Sequence, residues 1–432
     1  MPIRLDTRAP GFAAAFSTFL DSKREASADV AAAVAEIIAR VRADGDGALV
    51  DLSRTFDRVD LAALGIRVSA AEIAAARASI APETLEALEF AKSRIERHHA
   101  RQKPQDDRYT DALGVELGHR WTPVDAVGLY VPGGTAAYPS SVLMNAVPAK
   151  VAGVPRVVMV VPAPDGEIAP LVLAAADLAG VDEVYRVGGA QAVAALAYGT
   201  QTIAPVDKIV GPGNAYVAAA KRQVFGKVGI DMVAGPSEVL ILADGTANAD
   251  WIAADLLAQA EHDTAAQSIL VTDSADLAAR VEAAVTDMLA TLPRADIARA
   301  SWDVHGAIIL VQDWDEAVAL ANRIAAEHLE IHCADAEGIA AQVRHAGAIF
   351  IGPHTPEAIG DYVGGSNHVL PTARSARFSS GLGVLDFMKR TSILKCTPEA
   401  LAVLGPPAVR LSRVERLDAH GRSILVRSNA GG

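Results

Sequence analysis

Cysteine is scarce in this chain, with only Cys333 and Cys396 among its 432 residues. Two cysteines so far apart exclude a disulfide framework and a cysteine-rich zinc cluster, and they favour a reducing, cytoplasmic setting. Long apolar runs are also missing: none approaches the roughly 20 residues that span a bilayer, so we expect no membrane insertion. Aromatic residues make up only 5% of the chain, which leaves the core to alanine, valine, leucine and isoleucine.

Basic residues are outnumbered by acidic ones. The 39 lysines and arginines stand against 52 aspartates and glutamates, which gives a formal net charge of −13. An acidic surface repels phosphate backbones, so we expect no nucleic-acid partner. It does not exclude an anionic cofactor, because helix N-termini and local arginines bind phosphate without a basic surface.

Short apolar runs that end at glycine or proline recur from about residue 125 onward. The first series comprises residues 126–131, 156–161, 183–187 and 208–210. The second series comprises residues 239–242, 268–272, 307–311, 329–332 and 348–351. Helical stretches lie between the runs, and this alternation predicts parallel sheets covered by helices on both faces. We therefore predict an α/β fold of two Rossmann-like, parallel-sheet domains, with an N-terminal arm and a helical C-terminal tail.

The remaining segments are assigned around these two series. The predicted parts are a loosely attached N-terminal arm (1–29), the helical part of a first α/β domain (30–125), an inserted α/β domain (126–237), the remainder of the first domain (238–380) and a C-terminal tail (381–432). Apolar residues at helical spacing predict two helices, over residues 30–43 and 70–101. The Gly405-Pro406-Pro407 sequence is expected to break any helix in the tail.

Three glycine-rich turns follow strands of the first series. They lie at residues 130–134, at Gly188-Gly189-Ala190-Gln191 and at Gly211-Pro212-Gly213-Asn214. None has the GxGxxG fingerprint of dinucleotide-binding domains, and the chain has no P-loop. Each turn alone is explained by a tight strand-to-helix connection. Together they are more suggestive, because open α/β sheets bind ligands outside the carboxyl ends of their strands.

A few polar residues are candidates for chemistry. Gln259 and His262 share one face of a helix end, Glu327 directly precedes His328, and Asp361 lies in a glycine-rich stretch. By spacing alone, each has an ordinary structural explanation, as a polar helix pair, a chance neighbour or a turn residue. The residues taken by themselves predict an α/β enzyme with a polar site and leave its reaction open.

The same segments carry a resemblance to a known family. The chain resembles histidinol dehydrogenases from about residue 30 to its C-terminus. The matching runs are GLYVPGG (128–134), GGAQA (188–192), GPGNA (211–215), AGPSE (234–238), QAEH (259–262), EHLE (327–330), TPE (355–357), GDY (360–362), NHVLPT (367–372) and ARFSSGL (376–382). No single run would identify the family, but all of them in this order are highly specific for it. One departure is Ala326, which stands where the family often has proline and should not affect the chemistry.

The resemblance implies a set of site residues. It implies one Zn²⁺ per subunit, bound by Gln259, His262, Asp361 and His420. It implies that L-histidinol contacts these four ligands and also Ser237, His328 and Glu415. It implies that NAD⁺ lies against Tyr130, Gln191 and Asn214, on the glycine turns of the inserted domain. A ligand set of oxygens and imidazoles suits a catalytic zinc that keeps room for substrate.

The resemblance also implies a reaction and an assembly. In this family, His328 would act as the base for oxidation of L-histidinol, and Glu327 would then activate the water that attacks bound L-histidinaldehyde. Two NAD⁺ would be reduced and L-histidine released. Glu415 and His420, in the tail, would complete the site of the partner subunit in a homodimer.

Two other functions remain as alternatives. One is a paralogous zinc- and NAD-dependent dehydrogenase for another small polar alcohol, such as a dihydroxypropanesulfonate. A positive pocket would favour it, whereas Glu327, His328 and Glu415 suit a cationic amine better. The other is a non-catalytic metal- or nucleotide-binding protein, which would leave Glu327 and His328 without a role.

Overall fold

The computed structural model describes residues 1–21, 28–133, 138–233 and 235–428. The strands in these ranges are β1 (Ile3–Asp6), β2 (Asp107–Thr110), β3 (Glu116–Pro123), β4 (Ala126–Tyr130), β5 (Arg156–Val161), β6 (Glu183–Arg186), β7 (Lys208–Val210), β8 (Gly229–Ile230), β9 (Glu238–Ala243), β10 (Gln267–Thr272), β11 (Ala307–Leu310), β12 (His328–His332), β13 (Ala348–Ile351) and β14 (Met388–Lys395). The helices are α1 (Phe12–Asp21), α2 (Ala28–Asp44), α3 (Asp46–Phe56), α4 (Leu61–Leu64), α5 (Ala70–Ala78), α6 (Pro82–Ala100), α7 (Pro139–Ala152), α8 (Pro170–Ala179), α9 (Gly189–Tyr198), α10 (Ala215–Val224), α11 (Ala249–Ala260), α12 (Ala275–Leu289), α13 (Ala295–His305), α14 (Trp314–Ile324), α15 (Ala336–Ala340), α16 (Glu357–Tyr362), α17 (Pro398–Val414) and α18 (Asp418–Ser428). Among the described residues, no helix combines the length and hydropathy that a bilayer crossing needs.

The first sheet contains five parallel strands in the order β6-β5-β4-β7-β8. Strands β4 and β5 are apolar and buried along almost their whole length, because helices cover both faces of the sheet. The chain adds β5 and β6 on one side of β4 and then returns to add β7 on the other. This reversal opens a crevice at the carboxyl ends of β4 and β7, where sheets of this kind bind ligands.

The second sheet contains six parallel strands in the order β1-β11-β10-β9-β12-β13. Its strand order reverses between β9 and β12, as the first does between β4 and β7. Polar residues set where its helices begin: the side chain of Asn248 accepts the N–H groups of Asp250 and Trp251, and that of Asp313 accepts the N–H of Glu316. Both predicted α/β units are therefore confirmed as parallel sheets with covering helices.

The predicted loosely attached arm is wrong for residues 1–21. β1 is the edge strand of the second sheet, with Ile3 paired to Ala307 in parallel register. Helix α1 buries Phe16 and Phe19 in the core of that sheet. The sequence pattern missed this because the strand is only four residues long and partly exposed, and its partner lies far along the chain.

The helices between residues 28 and 100 pack on the first sheet, although the sequence pattern predicted them in the domain of the second. Val34 and Ile38 of α2 share a core with Val158 and Val160 of β5. Ile95 of α6 packs in the core on the opposite face of the same sheet. The inserted domain of the prediction thus includes its own upstream helices, and the second sheet is completed by β1 and α1 instead.

The predicted helix over residues 70–101 is two helices, α5 and α6. Pro82 begins α6, and the residue before a proline is pushed out of the helical region. Ala81 accordingly has an extended ψ of 138°. The predicted helix over residues 30–43 is confirmed as α2.

A third sheet, not predicted from the sequence, contains the antiparallel strands β14-β3-β2 and ties the tail to the body. Beyond β14, helices α17 and α18 pack on each other. Helix α17 continues through Pro406 and Pro407, so the predicted break is wrong. The two carbonyls that lose their N–H partners belong to Ala402 and Val403, which are exposed and can bond to water.

Candidate active site

The candidate site lies between the two parallel sheets, where the carboxyl ends of strands in one sheet face the amino ends of strands in the other. A cavity of about 50 Å³ is lined by Gly211, which follows β7, and by Ser237 and Glu327, which precede β9 and β12. The carboxyl edge of the first sheet therefore faces the amino edge of the second. Residues from the two reversal points of the fold share this one small space.

On the first sheet, Tyr130 and the glycine turns form one connected structure. The hydroxyl oxygen of Tyr130, at the end of β4, accepts the N–H of Gly189 at 3.0 Å. Burial raises the pKa of Tyr130 to about 12, so the phenol stays protonated at neutral pH. Gly211 has a φ of +111° and lies so close to the Tyr130 backbone that a side chain would clash. Of the predicted turn at residues 130–134, Gly134 lies outside the described residues.

Gln191 and Asn214 lie in the first turns of the helices that follow β6 and β7. Gln191 is buried in α9. Asn214 is exposed, and its side chain caps α10 by accepting the N–H groups of Tyr216 and Val217. The N-termini of α9 and α10 thus stand at the same edge as Tyr130, an arrangement that favours a bound anion.

On the second sheet, Glu327 and His328 lie beside Glu238 of the neighbouring strand. The N–H of Glu238 donates to Oε2 of Glu327 at 3.0 Å, and the carbonyl oxygen of Glu238 lies 3.0 Å from Nδ1 of His328. The side chain of Ser237 also lies close enough to lower the pKa of the Glu327 carboxyl group slightly, against the effect of burial. One backbone residue therefore fixes the orientation of both side chains.

The surroundings of His328 define its tautomer. Its Nδ1 faces acceptors alone: the Glu238 carbonyl, Oε2 of Glu357 at 3.5 Å and Oε2 of Glu327 at 3.8 Å. Nδ1 therefore carries the proton and donates to the carbonyl. Nε2 is buried, makes no hydrogen bond to any described residue and lies 3.9 Å from Oδ1 of Asp361. Burial lowers the pKa of His328, so the ring is neutral and Nε2 offers a lone pair.

Two buried carboxyl groups flank the ring. Burial raises the pKa of Glu327 and of Glu357 well above that of an ordinary carboxyl group, and the Asp361 carboxylate adds to both shifts. A carboxyl group with its pKa moved toward neutrality can exchange a proton at neutral pH. The site thus holds two bases of different kinds on adjacent residues, Glu327 and His328.

Three of the four predicted metal ligands come together in the chain. Gln259 and His262 lie at the end of α11, with Nε2 of Gln259 3.0 Å from Nδ1 of His262. Asp361 on α16 interacts electrostatically with His262. Oε1 of Gln259 is buried and has no hydrogen-bond partner among the described residues. An orphaned buried oxygen is costly unless something binds it.

The two predicted tail residues stand apart from this group. Glu415 ends α17 and His420 lies on α18, and both are exposed in the chain. No hydrogen bond or ion pair joins either of them to Gln259, His262 or Asp361 within the described ranges. The fourth predicted ligand is therefore not brought to the site by its own chain.

Two further residues at the site, Glu357 and His368, had no role predicted from the sequence. Glu357 was part of the matched TPE run, and His368 was part of the matched NHVLPT run. Nδ1 of His368 donates to the Asp361 carbonyl at 3.0 Å, and its Nε2 lies 3.3 Å from Oγ of Ser141. His368 thus holds the backbone of Asp361, whose side chain is a predicted ligand.

A separate cluster lies deeper along β12. Ligand atoms of Asp255, Glu330 and His332 lie within 4.8 Å of one another, a spacing that a metal ion could use. The Glu330 carboxylate already accepts the N–H of Glu357 at 2.7 Å and faces Nε2 of His332 at 3.1 Å. The cluster is distinct from the predicted ligand set, and it fixes the first residue of α16.

The fold and the site define an α/β enzyme whose paired bases lie between two Rossmann-like sheets. A sequence model of the family described as histidinol dehydrogenase matches residues 20–428. The chain belongs to the histidinol dehydrogenase family, whose members are oxidoreductases of histidine biosynthesis.

Individual relatives agree with this assignment. The chain is 71% identical over 429 residues to the histidinol dehydrogenase of Nitrobacter winogradskyi, covering 99% of this chain and 100% of the relative. It is 69% identical over the same length and with the same coverage to that of Rhodopseudomonas palustris. The crystal structure of histidinol dehydrogenase from Elizabethkingia anophelis superposes with a TM-score of 0.94 at 34% identity, over 99% of this chain and 98% of that one. The alternative of a paralogous dehydrogenase for a sulfonated alcohol is not favoured by these comparisons.

Proposed function

We propose that this protein oxidises L-histidinol to L-histidine through bound L-histidinaldehyde, with one Zn²⁺ per subunit and two NAD⁺ per turnover. The observation that carries the proposal is the pairing of a neutral His328, whose Nε2 is free, with a buried Glu327 of raised pKa. Each of two successive oxidations at one carbon needs a proton acceptor, for the hydroxyl group in the first and for water in the second, and the site offers two bases for these tasks.

His328 is the proposed base of the first oxidation. Because Nδ1–H is held by the Glu238 carbonyl, Nε2 is the atom that takes the substrate hydroxyl proton. The nearby carboxylates of Glu327, Glu357 and Asp361 would then stabilise the imidazolium. The lowered pKa of His328 keeps the basic form available at neutral pH.

Glu327 is the proposed base of the second oxidation. Its carboxylate would take a proton from the water that adds to the bound aldehyde, and its raised pKa matches that task. The hydrogen bond from the Glu238 N–H holds the carboxylate in place while it does so. Ser237 is also a proposed substrate contact.

Gln259, His262, Asp361 and a partner subunit's His420 are the proposed zinc ligands. The unpartnered Oε1 of Gln259 beside His262 fits this group, and a set of oxygen and nitrogen donors is one that zinc accepts in catalytic sites. Bound there, the metal would orient the imidazole and amine of the substrate and polarise the reacting oxygen. The Asp255, Glu330 and His332 cluster is not proposed for this role, because Glu330 already has its donors.

Tyr130, Gln191 and Asn214 are the proposed NAD⁺ contacts. They stand at the carboxyl edge of the first sheet, where two helix N-termini can bind the pyrophosphate without a GxGxxG loop. When bound, NAD⁺ accepts one hydride in each oxidation.

The free cysteines Cys333 and Cys396 support the expected reducing, cytoplasmic location.

We propose a homodimer with shared sites because two proposed site residues of the tail, Glu415 and His420, are exposed to solvent together with apolar side chains of the same helices. Leu411 and Val414 of α17 are 62% and 77% exposed, and Val426 of α18 is 60% exposed. Exposed apolar residues grouped on one structural element mark an interaction surface. A second copy that covers these helices would carry Glu415 and His420 to the site of its partner.

The activity is tested by supplying purified protein with NAD⁺ and L-histidinol. We expect two NADH for each L-histidinol consumed, with L-histidine as the product. A dihydroxypropanesulfonate and a simple primary alcohol serve as control substrates and should give little NADH. NADH from the sulfonate alone, or none from L-histidinol, would contradict the proposed substrate.

Removal of the metal should abolish both oxidations and leave the fold. His262→Asn should lower zinc content and activity together. Changing a residue that only hydrogen-bonds to a metal ligand costs about 10–100-fold in metal affinity, and loss of a ligand should cost at least as much. The matched control is His98→Asn, an exposed histidine of α6. Metal analysis and activity are measured on the same samples, and full activity of metal-free enzyme would show that zinc is not required.

A further inference from the structure

A buried ion pair lies beneath one of the glycine turns and has no role in the function described so far. Lys221 of α10 and Asp231, which follows β8, form the pair, and their side chains are 2% and 1% exposed. Removing two charges from water costs several kcal/mol per ion in general, so such pairs persist where geometry and further hydrogen bonds repay that cost. Two of the further hydrogen bonds of this pair join it to the backbone of a single residue, Gly211.

The pair holds both backbone polar groups of Gly211, its N–H and its carbonyl. Nζ of Lys221 donates to the Gly211 carbonyl at 2.9 Å, and Oδ2 of Asp231 accepts the Gly211 N–H at 2.8 Å. The other oxygen of Asp231 accepts the N–H of Met232 at 2.6 Å. The Gly211 N–H needs an acceptor, which Asp231 supplies, and the Gly211 carbonyl needs a donor, which Lys221 supplies. Together the two side chains add no net charge.

The held glycine occupies a central position. Gly211 has a φ of +111° and packs directly on the Tyr130 backbone, and Tyr130 in turn accepts the N–H of Gly189. Lys221 and Asp231 also line the small cavity that contains Ser237 and Glu327. The ion pair therefore touches both the turns at the edge of the first sheet and the space beside the proposed bases.

We propose that Lys221 and Asp231 are positioning residues that hold the Gly211–Asn214 turn in the shape that seats NAD⁺. The proposal rests on the proposed function, because it assigns the turn to the dinucleotide. Neither side chain reacts with substrate. Charge-assisted hydrogen bonds are the stronger kind, and they keep a glycine-rich segment in one conformation that it would otherwise leave at little cost.

The test uses Lys221→Met and Asp231→Asn, singly and together, in the full-length enzyme. Each single variant leaves a buried group without its partner and is expected to lower thermal stability. The double variant removes both charges with little change in volume, so it keeps the fold available for measurement. For the double variant, we expect the KM for NAD⁺ to rise by about tenfold or more, since bonds to charged groups contribute at least that factor to an equilibrium. The affinity for L-histidinol without NAD⁺, measured by calorimetry, should stay within about twofold.

The control is Lys208→Met, which removes an ion pair with Asp386 at the opposite end of β7. It should lower stability and leave the KM for NAD⁺ unchanged. A double variant that loses stability but keeps the wild-type KM for NAD⁺ would show that the pair only stabilises the fold. Wild-type protein that makes no NADH from L-histidinol would instead contradict the proposed function, so the two failures are distinguishable.

Discussion

Glu327→Gln is expected to slow the oxidation of L-histidinaldehyde by about 10²–10⁴-fold, the usual contribution of a general base, and to slow L-histidinol oxidation much less. Glutamine keeps the acceptor for the Glu238 N–H, so the local structure should survive the change. What is lost is the proton acceptor for water, and only the second oxidation consumes water. His328→Asn should show the opposite bias, because the first oxidation needs Nε2 as base.

The two steps are measured separately in single-turnover experiments that start from L-histidinol or from L-histidinaldehyde with excess NAD⁺. Zinc content and melting temperature of each variant are the controls, since both should match the wild-type enzyme. If both variants lose both steps to the same extent, the division of roles between Glu327 and His328 is wrong. A joint role in positioning substrate would then describe the pair better.

Two inactive variants should restore activity when their subunits are mixed. One is Glu327→Gln in the body of the chain and the other is His420→Asn in the tail. If the tail serves the partner's site, each heterodimer has one doubly damaged site and one intact site. Random reassociation makes about half of the dimers heterodimers, so about a quarter of wild-type activity should return.

The exposed position of His420 makes this test informative. Substitution there is expected to leave the fold of its own chain intact, because the side chain is exposed. Mixed samples are checked for heterodimers with two different affinity tags. Verified heterodimers without activity would show that His420 acts within its own subunit, or outside the site. Each parent alone, dissociated and reassociated in the same way, is the control.

The parallel sheets were predictable because their strands are buried on both faces. Residues 156–161 and 239–242 form continuous apolar runs, and such runs carry a clear signal whatever their partners are. β1, β3 and β14 gave no such signal. Their side chains are partly exposed, and their pairing depends on strands far away in sequence.

The site was predictable from motifs and only partly from physical chemistry. Gln259 and His262 lie close in sequence, so their common helix face was foreseeable. The contacts of His328 with Glu238 and Glu357 arise from strand pairing and from the position of α16, which no local pattern encodes. Lys221 and Asp231 were missed for the same reason, since neither belongs to a spacing that indicates a site.

Because β1 pairs with β11, the second sheet cannot be completed during synthesis until β11 has been made. Ile3 leaves the ribosome about 300 residues before its partner Ala307. At about 5–20 residues per second, that separation means a wait of roughly 15–60 s, far longer than a local strand pair needs. During synthesis the first sheet, with its own helices, can form well before the second. The nascent chain is therefore expected to pass through a stage in which the segment that becomes β1 has no strand to pair with.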